Sequence, residues 1–465
     1  MATLTTSWQS IASASWDWGD TKVTFYLDAK YSTQDITNNR TTIQTRLRSV
    51  LEYGWANGYN YNFTCSYAPT ISGTNLWNLA TETITEGSST INHNADGTKT
   101  LTLTATAAIT GLSKSSTLSA NVTLPTIPRA TACPNLDAYI GSTAAINLSP
   151  ASSSFTHKLT ATYGGSTITL INSFGSSSSV TFGDSWYNLT PGKTGTGTLT
   201  LITYSGGTQI GTSTGTLTLR CNPNNCSPTI TASVVDSNAT TIALTGDSNK
   251  IVKGYSNARI TYTATGRKNA TITSVKANNI TLGSSPATLN GVTTNVFNIT
   301  ATDSRGYSTT TTITKTLIDY VNLSLNINAF RSSPTGSEVK VNFTGSYFNG
   351  SFGNTNNSLT LNYKVKERGG STWLKEATLT LNTDYKISGN TFYSGNGNSA
   401  SDIVLDISIF NYQKIYEIYF YYNDALLSFN QVLTIAKGVA KLSFDDDYVY
   451  IDDQPILTYD IIDTW

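Results

Sequence analysis

Three observations make this an all-β chain of tandem β-sandwich modules. The composition favours strands: there are 26 Tyr, 15 Phe and 8 Trp, while only 12% of residues are charged, and the abundant Thr, Tyr, Val and Ile prefer a pleated, half-buried surface. Apolar and polar residues alternate over short runs, the period of a strand with one buried face. Turns rich in Gly, Ser, Asn and Pro separate those runs at about the spacing of sandwich strands. At 465 residues the chain exceeds one ordinary domain, so several such units follow one another.

The elements justify this in order. Residues 1–127 read as an N-terminal β-sandwich: Val23, Phe25, Leu27 and Ala29 alternate onto one face, and Ile43, Thr45 and Leu47 repeat the pattern one strand later. Asn92-His-Asn-Ala-Asp-Gly97 ends in Asp-Gly and is followed by renewed alternation from Thr98 to Ile109, which predicts a hairpin. Pro125 and Pro128 cannot belong to a central strand and mark a linker. Residues 128–227 restart the pattern as an immunoglobulin-like domain, with Ser176 to Ser179 as a loop tip. Residues 228–317 form a second immunoglobulin-like domain, with strands including Ile242 to Leu244 and a turn at Asp303-Ser-Arg-Gly306. Residues 318–437 read as a fibronectin III-like domain whose central strand is Tyr363-Lys-Val-Lys-Glu367. Residues 438–465 are a short, β-rich acidic segment, too small to bury its own apolar face.

Composition excludes several function classes. The 29 basic and 29 acidic residues cancel, which leaves no electrostatic footprint for nucleic acid. Two His and four Cys supply little for metal or nucleophile-base chemistry, and no cofactor, metal site or catalytic residue is expected. No run approaches the roughly 18 apolar residues of a membrane helix, so no membrane insertion is expected. The N-terminus lacks the pattern of a secretory signal, which points to synthesis and retention in a cytoplasm. Cys221 and Cys226 are the single close pair, read as ordinary thiols or as a late disulfide. His93 and His157 have no Ser or Cys partner at a recognisable spacing and read as incidental.

Several segments resemble, in order, a family of minor structural tail proteins of phages that infect Gram-positive bacteria. They are Asp35-Ile-Thr-Asn-Asn-Arg-Thr-Thr-Ile43, His93-Asn-Ala-Asp-Gly-Thr-Lys99, Leu124-Pro-Thr-Ile-Pro-Arg129, Ala151-Ser-Ser-Ser-Phe-Thr-His-Lys158, Ala301-Thr-Asp-Ser-Arg-Gly-Tyr307 and Tyr347-Phe-Asn-Gly-Ser-Phe-Gly353. Each motif alone is turn chemistry; their order along one chain is what carries the resemblance. It implies a virion protein of the distal tail or a tail fibre, assembled in the host bacterial cytoplasm beside other tail proteins and involved in host attachment. The ending Ile451-Asp-Asp-Gln-Pro-Ile-Leu-Thr458 is similar to a hairpin of phage fibre termini, with Asp453 and Gln454 where Gly and Lys are usual.

Candidate sites follow from residue chemistry. Tyr53, Trp55, Tyr59 and Tyr61, with Phe63, sit among Asn and Gly; aromatic faces stack on pyranose rings while amides take their hydroxyls. The alternative is that this face is the core of the first sandwich. Phe352, in a polar Asn- and Gly-rich loop, is a second candidate for carbohydrate, against a solvated turn. In the terminal segment Phe444, Tyr448, Tyr450, Ile451, Ile456, Leu457 and Trp465 are candidates for packing against other copies, with a trimer expected. Its Asp residues suit either calcium or a soluble strand edge. The expected mechanism is multivalent adhesion to host cell-wall glycans. A purely architectural tail or capsid-decoration protein and a cell-wall depolymerase remain alternatives.

Overall fold

The computed structural model of the protein describes residues 1–54, 58–74 and 80–438, and the backbone of three terminal strands, Leu442–Phe444, Tyr448–Ile451 and Gln454–Thr458. The chain is an all-β succession of sandwich modules followed by a short three-stranded meander. It divides into two compact units, one of residues 1–226 with the loops 267–270 and 304–307, the other of residues 227–266, 271–303 and 308–465. Among the described residues, no helix is long and apolar enough to cross a membrane.

In the first unit, Gln9–Trp18, Thr21–Asp35, Arg40–Tyr53 and Glu82–Asn92 form a four-stranded sheet. A five-stranded sheet in the order Ala2–Thr3, Lys114–Leu124, Lys99–Ile109, Tyr61–Cys65, Ile71–Gly73 belongs to the same module. Val23, Phe25, Leu27, Ala29, Ile43 and Leu47 are fully buried in one core with Phe63, Leu103 and Ala107, as period-two alternation requires. The Asp-Gly turn exists, with Gly97 at φ +83°, yet it closes no hairpin: the strands on either side of it belong to different sheets. The paired hairpin is instead Lys99–Ile109 with Lys114–Leu124.

The two histidines are not incidental: both hold turns in place, and one of them sits at that crossover. His93 is buried; its Nδ1–H donates to the carbonyl of Gly97 at 2.8 Å and its Nε2 meets the Thr41 hydroxyl at 2.7 Å. The linker then docks on the same turn, where Ile127 N–H donates to Gly97 O at 3.0 Å. Arg129 Nη1 donates to Ile36 O at 2.6 Å. On the far side His157 does the equivalent job, donating from Nδ1 to Gly175 O at 2.9 Å and meeting Thr131 Oγ1 with Nε2 at 2.9 Å. His93 thus ties its turn to the strand that carries Thr41, with the linker docked on Gly97 O, and His157 ties its turn to Thr131 just after the linker prolines.

The second module pairs a five-stranded sheet, in the order Leu136–Tyr139, Thr208–Arg220, Thr194–Ser205, Thr156–Tyr163, Ser166–Phe174, with the two-stranded Thr143–Asn147 and Ser177–Thr181. The serine run is thus a strand rather than a loop tip: Ser177, Ser178 and Ser179 face Asn147, Ile146 and Ala145 in register. Leu136–Tyr139 runs parallel to Thr208–Arg220, and Ala2–Thr3 runs parallel to Lys114–Leu124 in the first module. Cys221 and Cys226 are buried in the second core, where the Cys221 thiol donates to Gly192 O at 3.5 Å.

In the second unit the third module comprises Thr229–Asp236, Ala258–Thr265 and Ala287–Leu289 in one sheet, and Ile280–Thr281, Ile272–Ala277, Val296–Asp303 and Ser308–Thr314 in another. The expected strand at Ile242 to Leu244 is a short helix, Ala239–Thr245. Asn238 caps it by accepting from Thr240 N–H, and Gly246 ends it at φ +66°, the two signals that specify a helix in so brief a segment. The fourth module sets Ser324–Arg331, Val339–Ser346, Thr391–Ser394 and Tyr385–Ser388 in one sheet and Lys375–Thr378, Thr360–Glu367, Tyr416–Asn423 and Ser428–Ile435 in the other. Thr360–Glu367 is central in its sheet, so its Leu361, Tyr363 and Val365 are buried.

Candidate functional site

The structure separates the residues that the sequence groups as carbohydrate contacts. Phe63 is core, and Tyr61 and Tyr59 are half-buried against it. Tyr61 lies across from Gly73, where an added Cβ would meet its ring at 2.9 Å, and Tyr59 covers Gly111 in the same way at 2.8 Å. Both rings thereby fill the space that a side chain would take. Tyr53 is 48% exposed and its hydroxyl donates to Asp17 Oδ2 at 3.3 Å. Partial desolvation and the neighbouring Asp17 carboxylate raise its phenol above the ordinary value. Trp55 lies outside the described residues, as do Trp465 and the side chains of Phe444, Tyr448, Tyr450, Ile451, Ile456 and Leu457.

Phe352 offers no face to a sugar: it is 0% exposed. Its loop is the joint between the third and fourth modules. The ring stacks on Tyr320 at 6.0 Å and lies 5.2 Å from Phe348, in a cluster with Val252. Tyr320 donates its hydroxyl to Asp424 Oδ2 at 2.8 Å, and Asn357 Nδ2 donates to the same oxygen at 3.0 Å. Asp424 Oδ1 takes the backbone N–H groups of Leu426 and Leu427, each at 2.8 Å. Burial, then the bond to Asp424, push the Tyr320 phenol well above its ordinary value. The polar loop residues are spent on the helix of the third module: Asn354 N–H and Thr355 N–H both donate to Leu244 O at 3.1 Å, and Asn354 Nδ2 donates to Ala243 O at 3.2 Å. A helix end leaves carbonyls unpaired, and this loop satisfies them.

The outer face of the fourth module carries the better candidate surface. Because Leu361, Tyr363, Val365, Ile418 and Phe420 point inward, strand alternation sends Asn362, Lys364 and Lys366, and Glu417, Tyr419 and Tyr421, outward. In register they form cross-strand rows: Asn362–Tyr421–Asn430, Lys364–Tyr419–Val432 and Lys366–Glu417–Thr434. Trp373 follows the Gly369-Gly370 turn, and the N–H of its neighbour Leu374 donates to Val365 O at 2.7 Å, which holds the indole beside the sheet. The indole meets Tyr419 edge to face at 5.1 Å and 87°. Lys364 and Lys366 each place Nζ 5.7 Å from it. Trp373 is 37% exposed and Val432 46%.

The family model for siphovirus proteins of unknown function, DUF859, matches residues 23–425. The chain belongs to this family. No curated protein matches the siphovirus chain. Solved structures resemble it at low identity. A tetra-tandem repeat from the extending region of a large adhesion protein is 13% identical, covering 88% of this chain and 98% of that one at a TM-score of 0.27. A Ca2+-stabilized, ice-binding adhesin of an Antarctic bacterium is 11% identical, covering 87% and 94% at 0.22. The fibronectin(III)-like modules of Clostridium thermocellum CbhA are 12% identical, covering 41% and 94% at 0.17. Likenesses this distant carry no argument about what the siphovirus protein binds.

Charge on the outer face of its fourth module is closed pairwise. Lys364 meets Glu376 at 2.9 Å and Lys366 meets Glu417 at 3.4 Å. Tyr419 also donates its hydroxyl to Glu417 at 3.2 Å. Such a face presents rings, amides and paired charges, the chemistry that takes an uncharged sugar. Among the described residues, no group of three or more His, Cys, Asp or Glu is arranged to hold a metal ion. Neither Trp373 nor Tyr419 was singled out by composition: a lone Trp after Gly-Gly reads as a turn until the register sets it over the lysines.

Proposed function

We propose that this siphovirus protein is a structural component of the phage particle that contributes to attachment at the host surface, gripping a glycan on the outer face of its fourth module. The observation that carries the reading is the exposed Trp373 indole, braced by Tyr419 and the Lys364 and Lys366 side chains on a charge-paired sheet face. A single platform of this kind binds weakly. Several copies held together, with the terminal meander as the element of assembly into a trimer, raise the effective concentration at a repeating polymer. The reading assigns no catalytic step and no cofactor.

Binding of the full chain to purified host cell-wall polysaccharide tests this. Trp373→Ala is expected to cost about 1–2 kcal/mol of binding while leaving the unfolding midpoint nearly unchanged. Equal binding by the two proteins refutes the platform, and release of reducing sugar from the polymer favours a depolymerase. A second reading, an architectural spacer of the tail, is favoured by the joint of the third and fourth modules, where side chains of one cap the helix of the other. Absence of glycan binding with retained incorporation into particles supports the spacer.

A further inference from the structure

On the outer face of the four-stranded sheet of the first module, Asp28 is 1% exposed beneath two guanidinium groups. Arg46 and Arg48, two residues apart on Arg40–Tyr53, each donate Nε–H to Asp28 Oδ2 at 2.9 Å. Ser10 donates its hydroxyl to Oδ1 at 2.6 Å. Burial alone would raise the Asp28 carboxyl, but the donors Arg48, Ser10 and Arg46 outweigh it and hold the group below its ordinary value. Both arginines use Nε, which leaves their Nη groups outside the pair. Arg48 Nη2 makes one long contact, 3.4 Å to Ser10 Oγ. Among the described residues, no protein acceptor takes the Nη groups of Arg46.

Rings underlie these cations. The Arg46 guanidinium lies 4.3 Å from the centroid of Trp8, Lys30 Nζ lies 4.7 Å from the same ring, and Arg48 lies 4.4 Å from Tyr26. The arginine side chains are 22% and 25% exposed. Arg46 and Arg48 thus share one buried carboxylate, and Lys30 adds a third cation over Trp8. Glu86 stands opposite Arg46 in the register, but among the described residues no ion pair within 4.0 Å joins the two. The nearby Lys22 and Glu52 close on each other at 2.7 Å and add no net charge.

We propose that this face binds the phosphodiester groups of a polyol-phosphate polymer, through the Nη groups of Arg46 and Arg48 and the ammonium of Lys30. A planar guanidinium already oriented by Asp28 and a ring matches the paired oxygens of a phosphate and loses little freedom on binding. Both guanidinium groups converge on the one oxygen of Asp28, so their Nη groups flank it and serve neighbouring phosphate oxygens. Nucleic acid fits less well. The cations already engage Trp8 and Tyr26, which leaves those rings less available for base stacking.

The test titrates full-length protein with poly(glycerol phosphate), following the Nε–Hε resonances of Arg46 and Arg48 by NMR and the affinity at several salt concentrations. Those two resonances are expected to shift, and affinity to fall as salt rises. Lys30→Gln, which leaves Asp28 and its partners intact, is expected to weaken binding about threefold, and Arg46→Gln at least about tenfold. Trp373→Ala is expected to leave it unchanged, which separates this site from the glycan platform. Three results overturn the proposal: resonances of Arg46 and Arg48 that do not move at saturation, undiminished affinity in both the Lys30 and Arg46 variants, or single-stranded DNA of equal charge binding as tightly.

Discussion

Replacing Phe352 with Ala probes whether the polar-looking loop is a joint or a binding surface. The ring is fully buried between Tyr320 and Phe348, and truncating a buried Phe costs roughly 3–5 kcal/mol. The three hydrogen bonds from Asn354 and Thr355 to Leu244 and Ala243 survive the substitution and are worth only about 1 kcal/mol each, so loss of apolar packing dominates. The loss should be local. Leu426 N–H and Leu427 N–H are held by Asp424, which Tyr320 in turn contacts. Their hydrogen exchange is therefore expected to accelerate roughly hundredfold or more, while amides of the first module stay protected. Tyr320→Phe is the milder companion, because it keeps the ring and removes one charge-assisted hydrogen bond, for about 1–3 kcal/mol. An effect below about 1 kcal/mol for Phe352→Ala, with unchanged exchange at Leu426 and Leu427, would refute the joint and return Phe352 to the pool of candidate contacts.

Three more outcomes are expected. Gly97→Ala puts a Cβ 2.0 Å from Ile127 O on a left-handed backbone, costing more than the roughly 1–3 kcal/mol of the strain alone; Gly141→Ala, equally left-handed but in open space, should shift the urea midpoint less. The Ser408 hydroxyl first, then Lys375 and the Ser408 N–H, hold Asp406 down to about 2 from an ordinary 3.8. A depressed carboxyl contributes its stability above the unfolded value and loses it as pH falls through the folded one, so Asp406→Asn should lose stability at neutral pH and converge with wild type between about pH 4 and pH 2 in urea titrations. Burial pushes the Cys65 and Cys133 thiols up to about 11, and a thiol-exchange reagent at about pH 8 should modify both slowly until denaturant is added. Rapid modification of the native chain would contradict the packing at those two positions.

Alternation made the sandwich cores legible, since Val23, Phe25, Leu27 and Ala29 need no partner to reveal a buried face. Pairing was less legible. Asp96-Gly97 announces a turn, but the chain changes sheets there, where a buried imidazole ties that turn to Thr41 and a linker some thirty residues on docks on Gly97 O, contacts that no local pattern encodes. Ala239–Thr245 hides in a Thr-rich run whose side chains suit either state, so only Asn238 and Gly246 betray it. The site was the least legible part. The Phe352 loop has the composition of a solvated turn because its amides serve backbone carbonyls of another module. Trp373 becomes notable only once the strand register sets Tyr419 and two lysines beneath it.

The parallel pairing of Leu136–Tyr139 with Thr208–Arg220 decides how the second module meets a pull. The first of these strands enters the module and the second leaves it, so tension along the chain drags them past each other along their common axis. Leu136, Asp137, Ala138 and Tyr139 are matched to Leu217, Thr218, Leu219 and Arg220, and in that geometry the matched residues share the force and must give way together. An antiparallel pair loaded from its open end would unzip one residue at a time. Ala2–Thr3 and Lys114–Leu124 repeat the arrangement in miniature. A pull along such a chain is thereby met without the modules paying out their length.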